Sequence, residues 1–317
     1  MKICLIGPGI MPIPPTGWGA VEILIWDYKE YIEKNGHEVK IVNTRDRNQM
    51  IREVDEFNPD FVHVHYDEFI DVASSLATRY KVAITSHFGY LDQPNHPQFQ
   101  PYRRFFNQFM GTKSYIFALS HSIKNVYVHH GVNADQIYVT PNGVRTDLFR
   151  FNEEAELDES IYLAKIDYRK RQHIFQYLPN LKFAGNKADA RFTNDSQYLG
   201  EWSKEHLYEN LTKYGNLVLL SDGEAHPLVC LEGMSAGLGL VISEFACANL
   251  DTSLPFIDVI HEDRIGDLQF VSNVIEDNRV LSKTMRKEIL DYVVSNFSYD
   301  VIVKKYLKIV DGVCNGV

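Results

Sequence analysis

The feature that most constrains the fold lies at the start of the chain. Lys2-Ile-Cys-Leu-Ile6 is a short apolar run, and Ala20–Asn35 carries Val21, Leu24, Ile25, Tyr28 and Ile32 at helical spacing. Asn35-Gly36 closes that helix, and His37–Val42 alternates into a second strand. Strand, helix and strand make a βαβ unit, whose crossover joins parallel strands. The rhythm continues with a helix near Arg47–Phe57, strand Phe61–His65, helix Asp71–Arg79, and strands Val82–Thr85, Tyr115–Leu119 and Ile137–Thr140. A doubly wound α/β sheet follows.

Asn152–Glu159, NEEAELDE, breaks the rhythm, and a second α/β set starts at Ser160–Ala164. It passes through Leu181–Ala184, Gln197–Leu199, Leu217–Leu220 and Leu240–Ser243, and two amphipathic helices fill Ser282–Val313. The chain therefore reads as one domain over 1–151, a second over 152–298, and a last helix, about 299–317, packing back on the first. Its 317 residues are enough for two cores. No run approaches the roughly 18 apolar residues of a membrane span, and MKICLIGPGIM is broken too soon by Gly and Pro for a secretory signal. Cys4, Cys230, Cys247 and Cys314 have neither disulfide nor metal spacing, so a cytoplasmic protein with reduced thiols is expected. The net charge of −10 argues against wide nucleic-acid contact, which needs clustered Lys and Arg.

The stretch Ser221–Gly237, SDGEAHPLVCLEGMSAG, is the candidate site. A buried strand ends, Ser221–Gly223 turns, Pro227 suits a first helical turn, and Leu228–Ala236 is helical up to Gly237. A helix N-terminus at the carboxyl edge of a parallel sheet suits a phosphate. Glu224 and Glu232 bracket the turn and admit three readings. They are a helix-start carboxylate and a solvated one, a glycosidase acid–base pair, or two acceptors for the hydroxyls of one long ligand. The second is disfavoured, because eight helical residues span about 12 Å and such pairs sit at about 5–5.5 or 6.5–9.5 Å.

Other residues are open in the same way. Lys165 and Lys170, with Arg169 and Arg171, are a solvated face or a phosphate clamp. The loop Thr16-Gly17-Trp18-Gly19 lets backbone come close to a ligand. A dinucleotide fingerprint would need a third glycine where Pro12 stands, which leaves a nicotinamide-dependent oxidoreductase as a distant alternative. His63 and His65 point to one side of a strand but lack a carboxylate or Cys partner in sequence, so no metal is expected. Asp92–Met110 reads as an acceptor-side loop and helix, a membrane-contacting amphipathic surface, or an ordinary buried helix face.

Taken together, these residues resemble the retaining glycosyltransferases of family 4, of GT-B fold, in which two Rossmann-like domains face each other across a cleft. Glu224, Pro227-Leu228-Val229, Leu231–Met234, Ala236-Gly237 and Leu240–Ile242 follow that family's acidic motif in register. The resemblance implies that Glu224 contacts the donor sugar, Glu232 holds the nucleotide ribose, and the Leu228 and Val229 amides face the diphosphate. It further implies that Lys165 and Lys170 clamp the diphosphate, the loop of Gly17 and Gly19 approaches it, and His87 stands beside the transferred sugar. Pro141–Val144 with Asp147–Phe149 resembles the family's interdomain turn.

The sequence departs from the pattern at three places. His226 stands where Phe is common, Gly233 replaces Ala, and Lys165 replaces an Arg, turning a planar bidentate donor into a point charge. The implied activity is retaining, metal-independent transfer from a nucleotide-diphosphate sugar to a hydroxyl of a carbohydrate or glycoconjugate. Glu224, His87 and Lys170 would be the catalytic set, with no cofactor besides the donor substrate. A non-catalytic nucleotide-sugar binding protein is the alternative.

Overall fold

The structure, a computed structural model, describes residues 1–15, 19–91 and 97–316. The chain divides into two compact units, Met1–Gly143 with Tyr299–Val317, and Val144–Ser298.

The first unit is built on six parallel strands, β1 (Lys2–Ile6), β2 (Glu38–Val42), β3 (Phe61–Val64), β4 (Lys81–Ile84), β5 (Tyr115–Ala118) and β6 (Ile137–Val139), in the order β2-β1-β3-β4-β5-β6. Its helices are α1 (Ala20–Lys34), α2 (Arg47–Phe57), α3 (Ile70–Leu76), α4 (Arg103–Met110) and α5 (His121–His129). Strands covered on both faces must be apolar throughout, and Ile3, Cys4, Leu5, Ile6, Phe61, Val62 and Val64 are all fully buried. Burial also pushes the Cys4 thiol up to about 12, and all four cysteines are free thiols. The last helix, α11 (Tyr299–Asn315), belongs to this unit. It meets α1 through a cluster of rings, with Tyr28 5.7 Å from Tyr299 and 5.1 Å from Tyr306 between centroids.

The second unit holds β7 (Ser160–Leu163), β8 (Leu181–Ala184), β9 (Asn216–Leu219), β10 (Gly239–Ser243) and β11 (Ile257–Ile260), in the parallel order β11-β10-β9-β7-β8. Its helices are α6 (Gln172–Phe175), α7 (Lys204–Asn210), α8 (Leu228–Ser235), α9 (Leu268–Thr284) and α10 (Arg286–Phe297). This unit opens and closes at one place: Val144 pairs in parallel with Ser298, and the Val144 N–H donates to Phe297 O at 2.9 Å. Residues 144–151, expected in the first domain, belong to the second. The Arg150 N–H donates to Tyr208 O at 2.9 Å, Phe149 lies edge-on to Tyr208, and Gly237 has no Cβ because the Phe151 ring occupies that space.

Further differences from the sequence reading concern this unit. Strand β11 and helices α6, α7 and α9 were not foreseen. Gln197–Leu199 forms no full strand, although it exchanges two backbone hydrogen bonds with Phe183 at 2.9 and 2.8 Å.

Each sheet reverses its strand order once, between β1 and β3 in the first and between β7 and β9 in the second. Loops leaving the carboxyl ends of such neighbours diverge, and the crevice they leave is where open α/β sheets bind ligands.

Candidate functional site

In the second unit, Lys165–Arg171 leaves β7 and Ser221–Pro227 leaves β9, so the reversal brings the two candidate stretches together. Tyr162, buried on β7, ties them. Its hydroxyl accepts the Leu220 N–H at 2.9 Å and donates to Lys170 O, and burial holds the phenol well above its ordinary range. The Asp222 N–H donates to Arg169 O at 2.9 Å, and the Arg169 guanidinium donates back to Gly223 O at 3.0 Å. Gly185 lets the loop after β8 press on the end of β7, since a Cβ there would lie 2.1 Å from Ala164 O.

This lacing sets Lys170 on Glu224. Their side chains form an ion pair and are only 15% and 12% exposed. Lys165 is exposed and, among the described residues, has no carboxylate within salt-bridge distance. The other cations of the run are already engaged. Arg171, in the left-handed region at φ 58°, makes a bidentate pair with Glu262 at 2.6 and 3.0 Å, so its charge is neutralised rather than spare.

Helix α8 starts beside this pair. Pro227 is its N-cap, one position earlier than expected, and no side chain caps the helix. Leu228 and Val229 are half-buried. First-turn amides without a capping side chain are donors for an anion, and the helix dipole favours negative charge there. Gly233 explains one departure from the family pattern. A Cβ would lie 3.0 Å from Leu217 Cδ1 and 3.2 Å from Leu217 Cβ, so Ala fits between α8 and β9 only if Leu217 gives way by a few tenths of an ångström. His226 is buried with its ring 5.8 Å from Phe297, and burial drives its pKa down to about 3. It fills the aromatic position as a neutral ring.

Glu232 is half-buried on α8 and forms an ion pair with Lys204 of α7. Sequence reasoning missed Lys204. Ser203 caps α7, its Oγ accepting the His206 N–H at 3.2 Å, but nothing in the sequence aims the next side chain at Glu232.

In the first unit, Gly19 caps α1 at φ 138°, a conformation that favours glycine, with Glu22, Met11 and Pro15 atoms 3.1–3.3 Å from where a Cβ would stand. Gly17, with the rest of Thr16–Trp18, lies outside the described residues. His87 follows β4 and is half-buried. Its Nε2 is 3.2 Å from His65 Nδ1, and the His63 and His65 rings are 3.9 Å apart on one face of β3.

The Thr85 hydroxyl donates to Phe117 O at 2.9 Å, so it accepts from His63 Nε2 at 2.8 Å. That leaves His63 Nδ1 to accept from the Tyr306 hydroxyl at 3.3 Å. Burial holds all three imidazoles below the usual histidine range, His87 at about 4, so they are neutral at pH 7. Among the described residues, no group of three or more His, Cys, Asp or Glu is placed to hold a metal ion.

A second network was not foreseen. Asp67, just past β3, is buried. It accepts from Ser86 at 2.9 Å and from the Tyr90 hydroxyl, and burial raises its carboxyl to about 7. Helix α4 buries Phe105, Phe106 and Phe109, the ordinary outcome for its aromatic face, while Arg103 and Arg104 are exposed. Residues 92–96 of that stretch lie outside the described residues. No described helix is long and apolar enough to cross a membrane.

Residues 43–148 match the family model Glycosyltransferase Family 4. No curated protein matches the chain by sequence. Among solved structures it is similar to sucrose-phosphate synthase from Thermosynechococcus elongatus, with TM-score 0.80, 14% identity and 100% of both chains covered. It is similar to Anabaena HepE in complex with UDP and glucose, with TM-score 0.72, 14% identity and 98% and 100% covered. It is also similar to AviGT4, a glycosyltransferase involved in avilamycin A biosynthesis, with TM-score 0.72, 15% identity and 100% and 98% covered. At such identities the likeness fixes the fold, and the chain has the α/β GT-B fold that the resemblance implied.

Proposed function

We propose that this chain, GT-B in fold and matched by the Family 4 model over 43–148, is a glycosyltransferase that uses a nucleotide-diphosphate sugar. It transfers the sugar to a hydroxyl of a carbohydrate or glycoconjugate with retention of anomeric configuration. The observation that carries this reading is the uncapped start of α8 set beside the Lys170–Glu224 pair. Amides and ammonium there converge on the place a diphosphate would take, and Glu232 stands one helical turn further on for the ribose.

The chemistry follows from charge. As the bond between the sugar C1 and the β-phosphate oxygen breaks, negative charge grows on the nucleoside diphosphate. Lys165, Lys170 and the Leu228 and Val229 amides are fixed donors for it, and such preorganised groups supply a large part of catalysis. The acceptor oxygen forms the new bond to C1 on the same face, and its proton passes to the departing phosphate oxygen. Glu224 accepts hydrogen bonds from the sugar hydroxyls and moves no proton. The lysines and amides provide the charge stabilisation, so in this reading the transfer proceeds without a metal ion. Gly19 and His87, in the first unit, enter on the resemblance alone.

Structures of Anabaena HepE hold UDP, glucose and UDP-glucose, which makes UDP-glucose the first donor to try. The test is a thermal-shift screen of nucleotide sugars followed by a transfer assay. A ligand at about 100 times its Kd should stabilise the fold by about 2.7 kcal/mol. Full transfer activity in Glu224→Gln would sink the reading, and binding without transfer or hydrolysis would leave only a nucleotide-sugar binding protein.

A further inference from the structure

Glu232, the carboxylate that the reading above assigns to the ribose, does not stand alone. It follows Leu228 by four residues on α8, so the two share a face, and its side chain leans back toward the uncapped helix start. One turn, about 5.4 Å, separates it from the first amides, a span similar to that between a 5′-phosphate and the 2′,3′-hydroxyls of one nucleotide. Its side chain is 15% exposed and pairs through Oε1 with Lys204, which is 30% exposed. Lys204 is placed against local preference. It is the first residue of α7, where the helix dipole disfavours a cation. Its neighbours three and four residues on are Leu207 and Tyr208, so its own helix offers no carboxylate at pairing distance in sequence. It meets Glu232 instead, on another helix and 28 residues further along. The start of α7 is itself fixed, because Ser203 Oγ accepts the His206 N–H at 3.2 Å and the Trp202 ring packs edge-on against His206 at 4.7 Å between centroids.

We propose that Lys204 is a positioning residue for the nucleotide: it holds Glu232 by one oxygen, so that the other is aimed at the ribose before the ligand arrives. This rests on the transferase reading above, in which Glu232 receives the ribose hydroxyls and Lys204 touches no substrate atom. A carboxylate offers about four lone-pair positions. Lys204 takes one on Oε1, and among the described residues no hydrogen bond reaches Oε2. An unheld glutamate would have to give up its rotamers to meet a diol. One held in advance has already lost them, and preorganisation of that kind favours affinity. The ammonium has a second effect. It offsets the carboxylate charge, which would otherwise repel a diphosphate one helical turn away.

The test is calorimetric titration with whichever of UDP, GDP and ADP binds wild type most tightly. It compares wild type with Lys204→Met, Lys204→Arg, Glu232→Gln and the double variant Lys204→Met with Glu232→Gln, and urea midpoints are measured alongside. Lys204→Met weakens binding about tenfold, and Lys204→Arg, which keeps the cation, restores it. In the Glu232→Gln background Lys204→Met has no further effect on affinity, since a residue that acts through another is silent once the other is gone. Unchanged affinity in Lys204→Met overturns the proposal whatever happens to stability, and leaves an ion pair that only joins two helices. An equal loss in both backgrounds also overturns it, because Lys204 would then meet the phosphates directly. So does full affinity in Glu232→Gln, which removes the ribose contact. Each of these results strikes this proposal while nucleotide binding stands. Wild type that binds none of the three diphosphates and no nucleotide sugar removes the transferase reading, and this inference with it.

Discussion

Arg286 offers the sharpest test of what holds the second unit together. It is 2% exposed and donates to Asn152 O at 2.8 Å, Thr212 O at 2.6 Å, Tyr214 O at 3.0 Å and Ala236 O at 3.0 Å, as well as to the Thr212 hydroxyl. Among the described residues no carboxylate pairs with it, and burial lowers its pKa to about 10. Arg286→Met keeps the stem and removes every donor. Four carbonyls, three of them buried and that of Asn152 half-buried, orphaned at about 1.5 kcal/mol each cost about 6 kcal/mol. Relief of the buried charge returns about 3 kcal/mol, taken from the downward shift at 1.36 kcal/mol per unit. The prediction is a net loss of about 3 kcal/mol, or a fall in Tm of about 6–12 °C for a unit of this size. Trp202, the one tryptophan of that unit, reports the transition by fluorescence in urea and on heating. A loss below about 1 kcal/mol would refute the reasoning, since the carbonyls would then be satisfied without the guanidinium.

Asp67 makes a pH prediction. Its folded pKa, about 7, lies above the ordinary value of 3.8, so protonation favours the native state. Its contribution to stability is full below about pH 4 and is lost as pH rises through 7, whereas the depressed histidines act in the opposite sense below their ordinary 6.5. Asp67→Asn should therefore gain on wild type between pH 5 and pH 8 by a few kcal/mol; parallel urea stabilities at the two pH values would contradict this. Gly233→Ala sets about 1 kcal/mol of helix propensity against about 1–3 kcal/mol of overpacking on Leu217. A net loss near 1 kcal/mol is expected in the urea midpoint, and a stabilised variant would mean that β9 yields. Lys170→Met should weaken UDP binding at least tenfold, about 1.4 kcal/mol, because it removes a phosphate partner and strands Glu224; unchanged calorimetric affinity would exclude Lys170 from the site.

The sequence made the strand–helix rhythm legible wherever strands are buried on both faces, as in β1 and β9, because continuous apolar runs between turn residues have few other readings. Glu224, Glu232, Lys165 and Lys170 were legible for a different reason. They sit next to a strand end, a turn and a helix start, so local signals place them. Lys204 and Asp67 were not, because their meaning comes from partners 28 and 23 residues away along the chain, Glu232 and Tyr90. The bidentate pairing of Arg171 with Glu262 is hidden for the same reason, its partner lying 91 residues further on. Helix α9 was missed because Leu268 and Val280 are exposed while Asn278 and Arg279 are buried, which blurs the apolar stripe. Asn278 is inside because its amide donates to Asp258 at 2.9 Å and to the Leu240 and Phe256 carbonyls.

The pairing of Val144 with Ser298 has a consequence for modularity. A segment of 155 residues enters and leaves its own fold at adjacent points, so in topology it is an insertion between Gly143 and Tyr299. The gap that its removal would leave is short, because Gly143 packs directly against the Tyr299 ring. Neighbouring ends are what permit a module to be exchanged or permuted without disturbing its host. One half of such a protein can thus be replaced by recombination at two joints while the other keeps its sheet, its histidine stack and its closing helix.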